Sequence, residues 1–548
     1  MIRSFFLLLM FFLPARLFAS TFYVDSGTGS DSNDGSLPIM PWQSLIKVNS
    51  GSFTAGDTIL FRSGAEWTGI LHLTGQGGPG RPIVIDKYGG DKLPLIRGDG
   101  KEHPYVVFLD NVRYMEVNNL EITDAGKDSS AVRSGVYIYN NNSGTNHHIW
   151  LKKLFIHDIT GFCNHDKGFG DAINWYCRAN GTNTNFDDLL IEDCRMEKIA
   201  RNGVWGWTDH WQRDKWFPSR NVIIRLNVLK DLGMSGIVVI GCDGALAEHN
   251  FVEKPSLGGD GGIGIWTWSS DNCLVQFNEV TGARGTHDAQ AFDSDWNCHN
   301  NIYQYNYSHD NAGGFMLVCT PETNPSNLGC VGTVIRYNLS VNDGAITNTF
   351  AIWGPCEDTW VYNNTIFSDS SFHIPLTFYG QWDRWASGTH FLNNIFHTGG
   401  SYSFAFGSSS DNTFSHNLWS GKYTDPPADA CGIYQDPAFR GPGFTKPSDF
   451  MLRDASPAIG RGLAVQNDGD MDCRGNKVPD ASSPTIGAFE VEPDQSSLAS
   501  EDTHCLNLFD FIGNSKGIST SGLGAVPVNK HLLKIIRRKT GSGYLTLT

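Results

Sequence analysis

Short runs of alternating apolar and polar residues, each closed by asparagine, recur through the middle of the chain. They read VIIRLN to Asn227, LAEHN to Asn250, LVQFN to Asn278 and IYQYN to Asn306. The series continues as VIRYN to Asn338, WVYNN to Asn364, HFLNN to Asn394 and TFSHN to Asn417. Period-two alternation predicts strands with one face turned to a core. The asparagines lie 23, 28, 28, 32, 26, 30 and 23 residues apart. An irregular period with a fixed strand signature predicts a solenoid whose coils carry loops of varying length. MEVNN to Asn119, LKKLF around Lys153 and LIEDC around Cys194 extend the series with longer insertions. That makes about eleven coils, a rod roughly 50 Å long at the spacing of stacked strands. Tandem hairpins in a sandwich are the competing reading, but no two-residue Asn-Gly turns separate the runs.

Asparagine suits a turn between strands, because it tolerates left-handed backbone angles and its amide can bond the next coil. Asn306 and Asn338 also match the N-x-S/T pattern, but as ladder residues they are not expected to carry sugar.

The two ends differ from the middle. Residues 20–110 alternate short β-rich runs with Gly, Asp, Ser and Asn turns, and residues 426–490 replace the repeat with YQDPAF, SPAIG and PTIGAFE. Residues 111–425 hold the coils, and residues 491–548 show no repeat and end in a basic NKHLLKIIRRK stretch expected to be poorly ordered. Arg3, the apolar Phe5–Leu13 run and the small Ala19 and Ser20 form a secretory signal pattern over residues 1–19. The expected location is secreted, periplasmic or on the cell surface, with no membrane span and a monomeric state. A net charge of −16 without a basic stripe argues against a nucleic-acid partner. Twelve cysteines in an exported chain permit disulfides, with Cys319–Cys330, Cys163–Cys177 and Cys431–Cys473 as plausible pairs. No spacing suggests zinc.

The head carries Tyr23-Val24-Asp25, Gly29-Ser30-Asp31, Pro41-Trp42 and Gly56-Asp57-Thr58-Ile59. The closing segment carries Asp436-Pro437, Phe450, Ser456-Pro457-Ala458-Ile459-Gly460 and Ile486-Gly487-Ala488-Phe489-Glu490 in order. Over residues 20–490 the chain resembles the exported right-handed parallel β-helix proteins of the pectate-lyase-like superfamily. The resemblance implies an all-β right-handed parallel β-helix, capped at both ends, and an activity on a carbohydrate polymer or oligosaccharide.

The candidate chemistry lies in DAQAFDSDWNC, followed by the His309-Asp310 pair. Coils aligned on their asparagines place Asp293 to Trp296 on Ile265 to Trp268, and those on Ile237 to Ile240. Alternation then puts Asp293 and Asp295 on one face. Burying both inside a narrow rod would cost several kcal/mol each, so the acids are expected outward. Val238, Ile240, Trp266, Trp268, Phe292 and Trp296 are then expected inward; the alternative register puts Trp266 and Trp268 outside as sugar platforms and buries the acids. Strand neighbours lie roughly 5–7 Å apart, which spans the carboxyl separations used in glycoside hydrolysis. Asp293 and Asp295 are the expected catalytic pair, with Asp310 as a third group. His287, His309, Asp288, Arg284, Asp260 and Asp171 are candidate groove residues.

Trp207 and Trp211, in the tryptophan-rich Trp205–Phe217 segment, are candidate sugar platforms, with packing against the rod as the alternative. No cofactor is required. Calcium at Asp288, Asp293 and Asp295 is open, since hard oxygen ligands suit it. A glycoside hydrolase is the leading expectation. A uronate lyase needs a basic residue near the acids, and no Lys lies between Lys254 and Lys422. Arg284, Arg336 and His309 keep the lyase open, and a non-catalytic glycan-binding or adhesin rod is the third reading.

Overall fold

The asparagine-closed runs stack on one another, strand on strand, as the period requires. The computed structural model describes residues 19–491, apart from 102–104, 164–169, 259–260, 442 and 480–481. The apolar N-terminal run, the tail from residue 492 and Asp260 lie outside the described residues.

One sheet stacks fourteen strands in line, from Thr21–Val24 to Thr413–Ser415. Eleven of these fall within residues 111–425, and the head adds Thr21–Val24, Thr58–Arg62 and Ile83–Tyr88. A second face stacks Phe251–Glu253, Glu279–Thr281, Tyr307–His309 and Leu339–Val341, in parallel throughout. A third face holds the strands that build the site described below. The chain is a right-handed parallel β-helix with three strands per full coil. Its core is a continuous file of inward-facing Ile, Val, Leu and Phe that runs from Val24 to Trp419. At the N-terminal end the short Leu45–Asn49 helix buries Leu45 and Val48. No described helix is long and apolar enough to cross a membrane.

The ladder differs from expectation in one respect. Asn227, Asn250, Asn278, Asn306, Asn338, Asn364, Asn394 and Asn417 are all fully or almost fully buried. The left-handed position belongs to the residue before each one, from Leu226, His249 and Phe277 to His416. Each amide Nδ2 donates to a carbonyl of the preceding coil and to Oδ1 of the next asparagine. For Asn278 the partners are the Ala247 carbonyl and Asn306 Oδ1, both at 3.0 Å. A buried polar side chain is tolerated here because the column meets its hydrogen-bonding needs. Asp429 ends the column, accepting from Asn417 Nδ2 at 2.9 Å.

None of the three candidate disulfides forms, since Cys177, Cys319, Cys330 and Cys431 all keep free thiols. Most cysteines are instead small residues of the core, as Cys242, Cys273, Cys298 and Cys356 show. The closing segment covers the last coil only at its start, where Ile433 bridges Leu418. It then runs back along the rod. Phe439, Phe450, Ile486 and Phe489 pack against Tyr305, Tyr337, Tyr362 and Ile395. Tyr305 Oη donates to the Met471 carbonyl at 2.9 Å. Arg336 Nη1 donates to the Asn467 carbonyl at 2.6 Å.

Candidate active site

The third face carries Val204–Thr208, Ile237–Ile240, Ile265–Trp268, Gln290–Ser294, Gly314–Cys319 and Phe350–Trp353 in succession. Alternation divides their side chains into inward and outward columns. Ile237, Ile265, Phe292, Met316 and Phe350 form an inward column. One outward column runs Trp205, Val238, Trp266, Asp293, Leu317 and Ala351. The next holds Ile240 and Trp268, and further along Cys319 and Trp353. Asp295 stands between those pairs, its backbone N–H donating to the Thr267 carbonyl at 2.9 Å.

This register corrects the asparagine alignment by one position: Asp293 stacks on Trp266, not Ile265. Fourteen residues separate Phe292 from Asn306, whereas thirteen separate Ile265 from Asn278. The acids face outward and Phe292 inward, as expected. Trp266, Trp268 and Trp296, expected inward, share the outward face and line the cleft with the acids. Val238 and Ile240 also face outward, buried beneath Trp205, Trp207, Trp266 and Trp268.

The resulting cleft has a volume of about 920 Å3, near the upper end for small-ligand sites. Trp205, Trp207, Trp266, Trp268, Trp296, Trp353 and Trp382 wall it, around Asp288, Asp293 and Asp295. Trp268 Nε1, Gln290 Oε1 and Asn348 Oδ1 belong to lining residues and are buried with no hydrogen-bonding partner among the described residues. Buried polar atoms left in this state call for a partner from outside. The Trp205–Phe217 segment divides between the cleft and the rod. Its first residues are a strand whose Trp207 lines the cleft. The remainder packs on the rod, where Arg213 forks onto Asp271 at 2.8 and 2.6 Å. Trp211 backs the wall, its ring 5.3 Å from that of Trp268.

At the centre, one oxygen each of Asp293 and Asp295 and the Cys319 sulfur lie within 4.8 Å of one another. The Cys319 thiol is 2.9 Å from Asp295 Oδ1 and 4.0 Å from Asp293 Oδ1. Burial, then the charges of Asp295 and Asp288, push the Asp293 carboxyl well above the usual range. Burial also raises Asp295, to about 7, although the Cys319 thiol and the Trp296 N–H partly oppose the rise. Cys319 itself is pushed up by burial and by both carboxylates. Two crowded acids in an apolar setting share a proton at neutral pH, one carboxyl neutral beside a partner that can ionise. For a cation this group offers two carboxylates and a thiol, without Asp288. Calcium takes six to eight hard oxygens, so the set is a poor fit for it.

The other expected residues fall in different places. Asp288 and His287 line the cleft and are exposed. Asp171 lies fully buried behind the cleft wall, 3.3 Å from Arg201 Nη1 and 2.8 Å from Asn174 Nδ2. It holds those two lining residues rather than touching the cleft. Asp310 and His309 belong to the second face and do not line the cleft. His309 is held by Asp310 at 2.8 Å and Glu279 at 3.2 Å. The same arrangement recurs at His157, with Asp158 at 2.7 Å and Glu121 at 3.0 Å, which marks it as a brace between coils. Arg284 is exposed outside the cleft and bonds the Asp310 carbonyl at 3.3 Å.

Arg201, Gln290, Asn348 and Cys319 enter the cleft without having been expected there. Cys319 was the most accessible of them, since period-two alternation through GGFMLVC puts it on the face of Asp295.

Fold and cleft together define a right-handed parallel β-helix with acids and tryptophans on one outer face. No family model matches the chain. It is similar to the lacto-N-biosidase of Bifidobacterium longum subsp. longum, 26% identical over 612 residues that cover 92% of this chain. The match spans 36% of that longer protein. Among solved structures it is similar to the GH136 lacto-N-biosidase from Eubacterium ramulus. In its selenomethionine form the identity is 26% and the TM-score 0.58, with 65% of each chain covered. For the native form the identity is 24% and the TM-score 0.58, covering 72% of this chain and 68% of that one.

Proposed function

We propose that the chain is a glycoside hydrolase that cleaves an oligosaccharide bound in the tryptophan-walled cleft. The observation that carries this reading is the stacking of Asp295 between Trp268 and Cys319, on the face where the aromatic wall and the unpartnered polar atoms converge. Aromatic faces suit the C–H side of a sugar ring, and Gln290, Asn348 and Trp268 offer its hydroxyls hydrogen bonds.

Exposure divides the three acids. Asp293 is 1% exposed, set beneath the cleft floor, and its own carboxyl is pushed up by burial and by the charges of Asp295 and Asp288. Asp295 is partly exposed on the floor and Asp288 is exposed at the rim, so these two reach the substrate. Asp295 lies deeper than Asp288 and is held by the Cys319 thiol at 2.9 Å, which sets it beneath the anomeric carbon with Asp288 beside the leaving oxygen. Asp295 is therefore the nucleophile. Its free oxygen bonds the anomeric carbon as the C–O bond to the leaving group breaks, and Asp288 gives that oxygen its proton. A water then gives its proton to Asp288 and attacks the same carbon, releasing Asp295. The sugar leaves with its anomeric configuration retained.

The named relatives make a lacto-N-bioside the first substrate to test. Asp295→Asn and Asp288→Asn are each expected to lower kcat on an aryl lacto-N-bioside by about 10²–10⁴-fold. Product mass should show gain of one water. Full turnover by Asp295→Asn, or an unsaturated uronate product, overturns the reading. Among the described lining residues Arg201 is the one arginine and is engaged by Asp171, so His287 would act as a base without a second cation to neutralise a uronate carboxylate.

A further inference from the structure

Cys319 ends its strand next to Asp295 in the outward column and lines the cleft. Its thiol is unbridged. The neighbouring Cys330 thiol meets backbone carbonyls, those of Cys319 at 3.1 Å, Asp295 at 3.3 Å and Ser294 at 3.5 Å. A thiol carries one proton to donate, and the nearer acceptor is Asp295 Oδ1, at 2.9 Å. The backbone N–H of Trp296 donates to the same Oδ1 at 2.7 Å. Two donors from different coils thus converge on one oxygen of the carboxylate, and among the described residues none bonds Oδ2.

We propose that Cys319 is a positioning residue: with the Trp296 N–H it pins Asp295 Oδ1 and leaves Oδ2 as the oxygen presented to the anomeric carbon. The proposal rests on the reading of Asp295 as the nucleophile. A carboxylate held by one donor alone can rotate about its terminal torsion, which is broad, and spends less time in the attacking geometry. The thiol also favours the ionised form by donating to it.

The test compares Cys319→Ala and Cys319→Ser in kcat and KM across pH, with thermal unfolding followed in parallel. Cys319→Ala is expected to lower kcat on the order of tenfold with little change in KM. It should move the acidic limb of the pH profile upward by about 0.5–1 unit. Cys319→Ser keeps a donor and should restore the limb. Cys319→Val, which fills the space without a donor, carries the same expectation as Cys319→Ala should the alanine variant not fold. An unchanged limb and kcat in Cys319→Ala or Cys319→Val overturns the proposal, as does equal impairment of Cys319→Ser. If Asp295→Asn is inactive while these hold, the proposal alone falls. If Asp295→Asn keeps full turnover, the nucleophile reading falls and the proposal with it.

Discussion

Replacing Asp295 by asparagine should stabilise the protein while it abolishes turnover, and only where the carboxyl would be charged. Burial raises this group from 3.8 to about 7. Each unit corresponds to about 1.4 kcal/mol, so ionising Asp295 in the fold costs at most about 4 kcal/mol. The group is partly exposed and its protons are shared with Asp293, so water and coupling reduce that ceiling to about 1–2 kcal/mol. The sign follows from the direction of the shift. A folded-state value above the unfolded one gives stability that is complete below about 4 and is lost as pH rises through about 7. The amide is nearly isosteric, can still accept from the Cys319 thiol, and carries no such cost. Unfolding midpoints of the two proteins, by heat and by urea, should therefore diverge between pH 4.5 and pH 8 in favour of Asp295→Asn. The change in the gap is the test, because any difference in packing is common to both conditions. A gap that is equal at both pH values, or a variant less stable at pH 8 than at pH 4.5 relative to the parent, would refute the reasoning.

Four further outcomes follow from other parts of the molecule. Burial alone would lower His309, but Asp310 and Glu279 hold it at about 9. Its contribution is thus present below about 6.5 and lost as pH rises through about 9, so His309→Gln should cost about 1–3 kcal/mol at pH 6 and less at pH 10. Asp310→Asn should leave kcat unchanged, which a full kinetic profile would check. Asn306→Ala removes the acceptor of Asn278 N–H and Nδ2, both at 3.0 Å, and orphans them in the core. Urea unfolding should show a loss of about 2–4 kcal/mol. Trp268→Ala should raise KM about tenfold, a loss of about 1–1.5 kcal/mol of ring stacking, readable from initial rates with little change in kcat.

The fold was legible because a solenoid repeats its evidence. Eleven copies of one strand signature outvote any single ambiguous segment, and the asparagine column fixed which strands lie side by side. The candidate site was legible in part. Two acids two residues apart must share a face, and the cost of burying them pointed that face outward. The relation of that face to the tryptophans was beyond the pattern, because it turns on one extra residue between Phe292 and Asn306. A period-two element reverses its faces on a slip of one, and alignment on a distant column cannot detect it. Asp310 misled for a related reason: adjacency to histidine carries no information on which face of the coil the pair occupies. Asp293 and Asp295 looked equivalent in sequence. The depth that separates them is set by Leu317, Trp266 and the rest of the outward column.

The returning C-terminal segment has a consequence for the order in which the molecule is completed. Coils can stack as they leave the ribosome, each on the one before. The tyrosine-rich flank formed by Tyr305, Tyr337 and Tyr362 has no cover of its own, however, until residues 439–489 arrive. Tyr305 lies 166 residues before its partner Met471, a delay of roughly 8–33 s at the usual rates of synthesis. Throughout that interval the coil that bears the acids stands with one side bare, a site for wrong contacts with other nascent chains. Chains that end early, near residue 430, should carry every acid and tryptophan of the cleft and still aggregate.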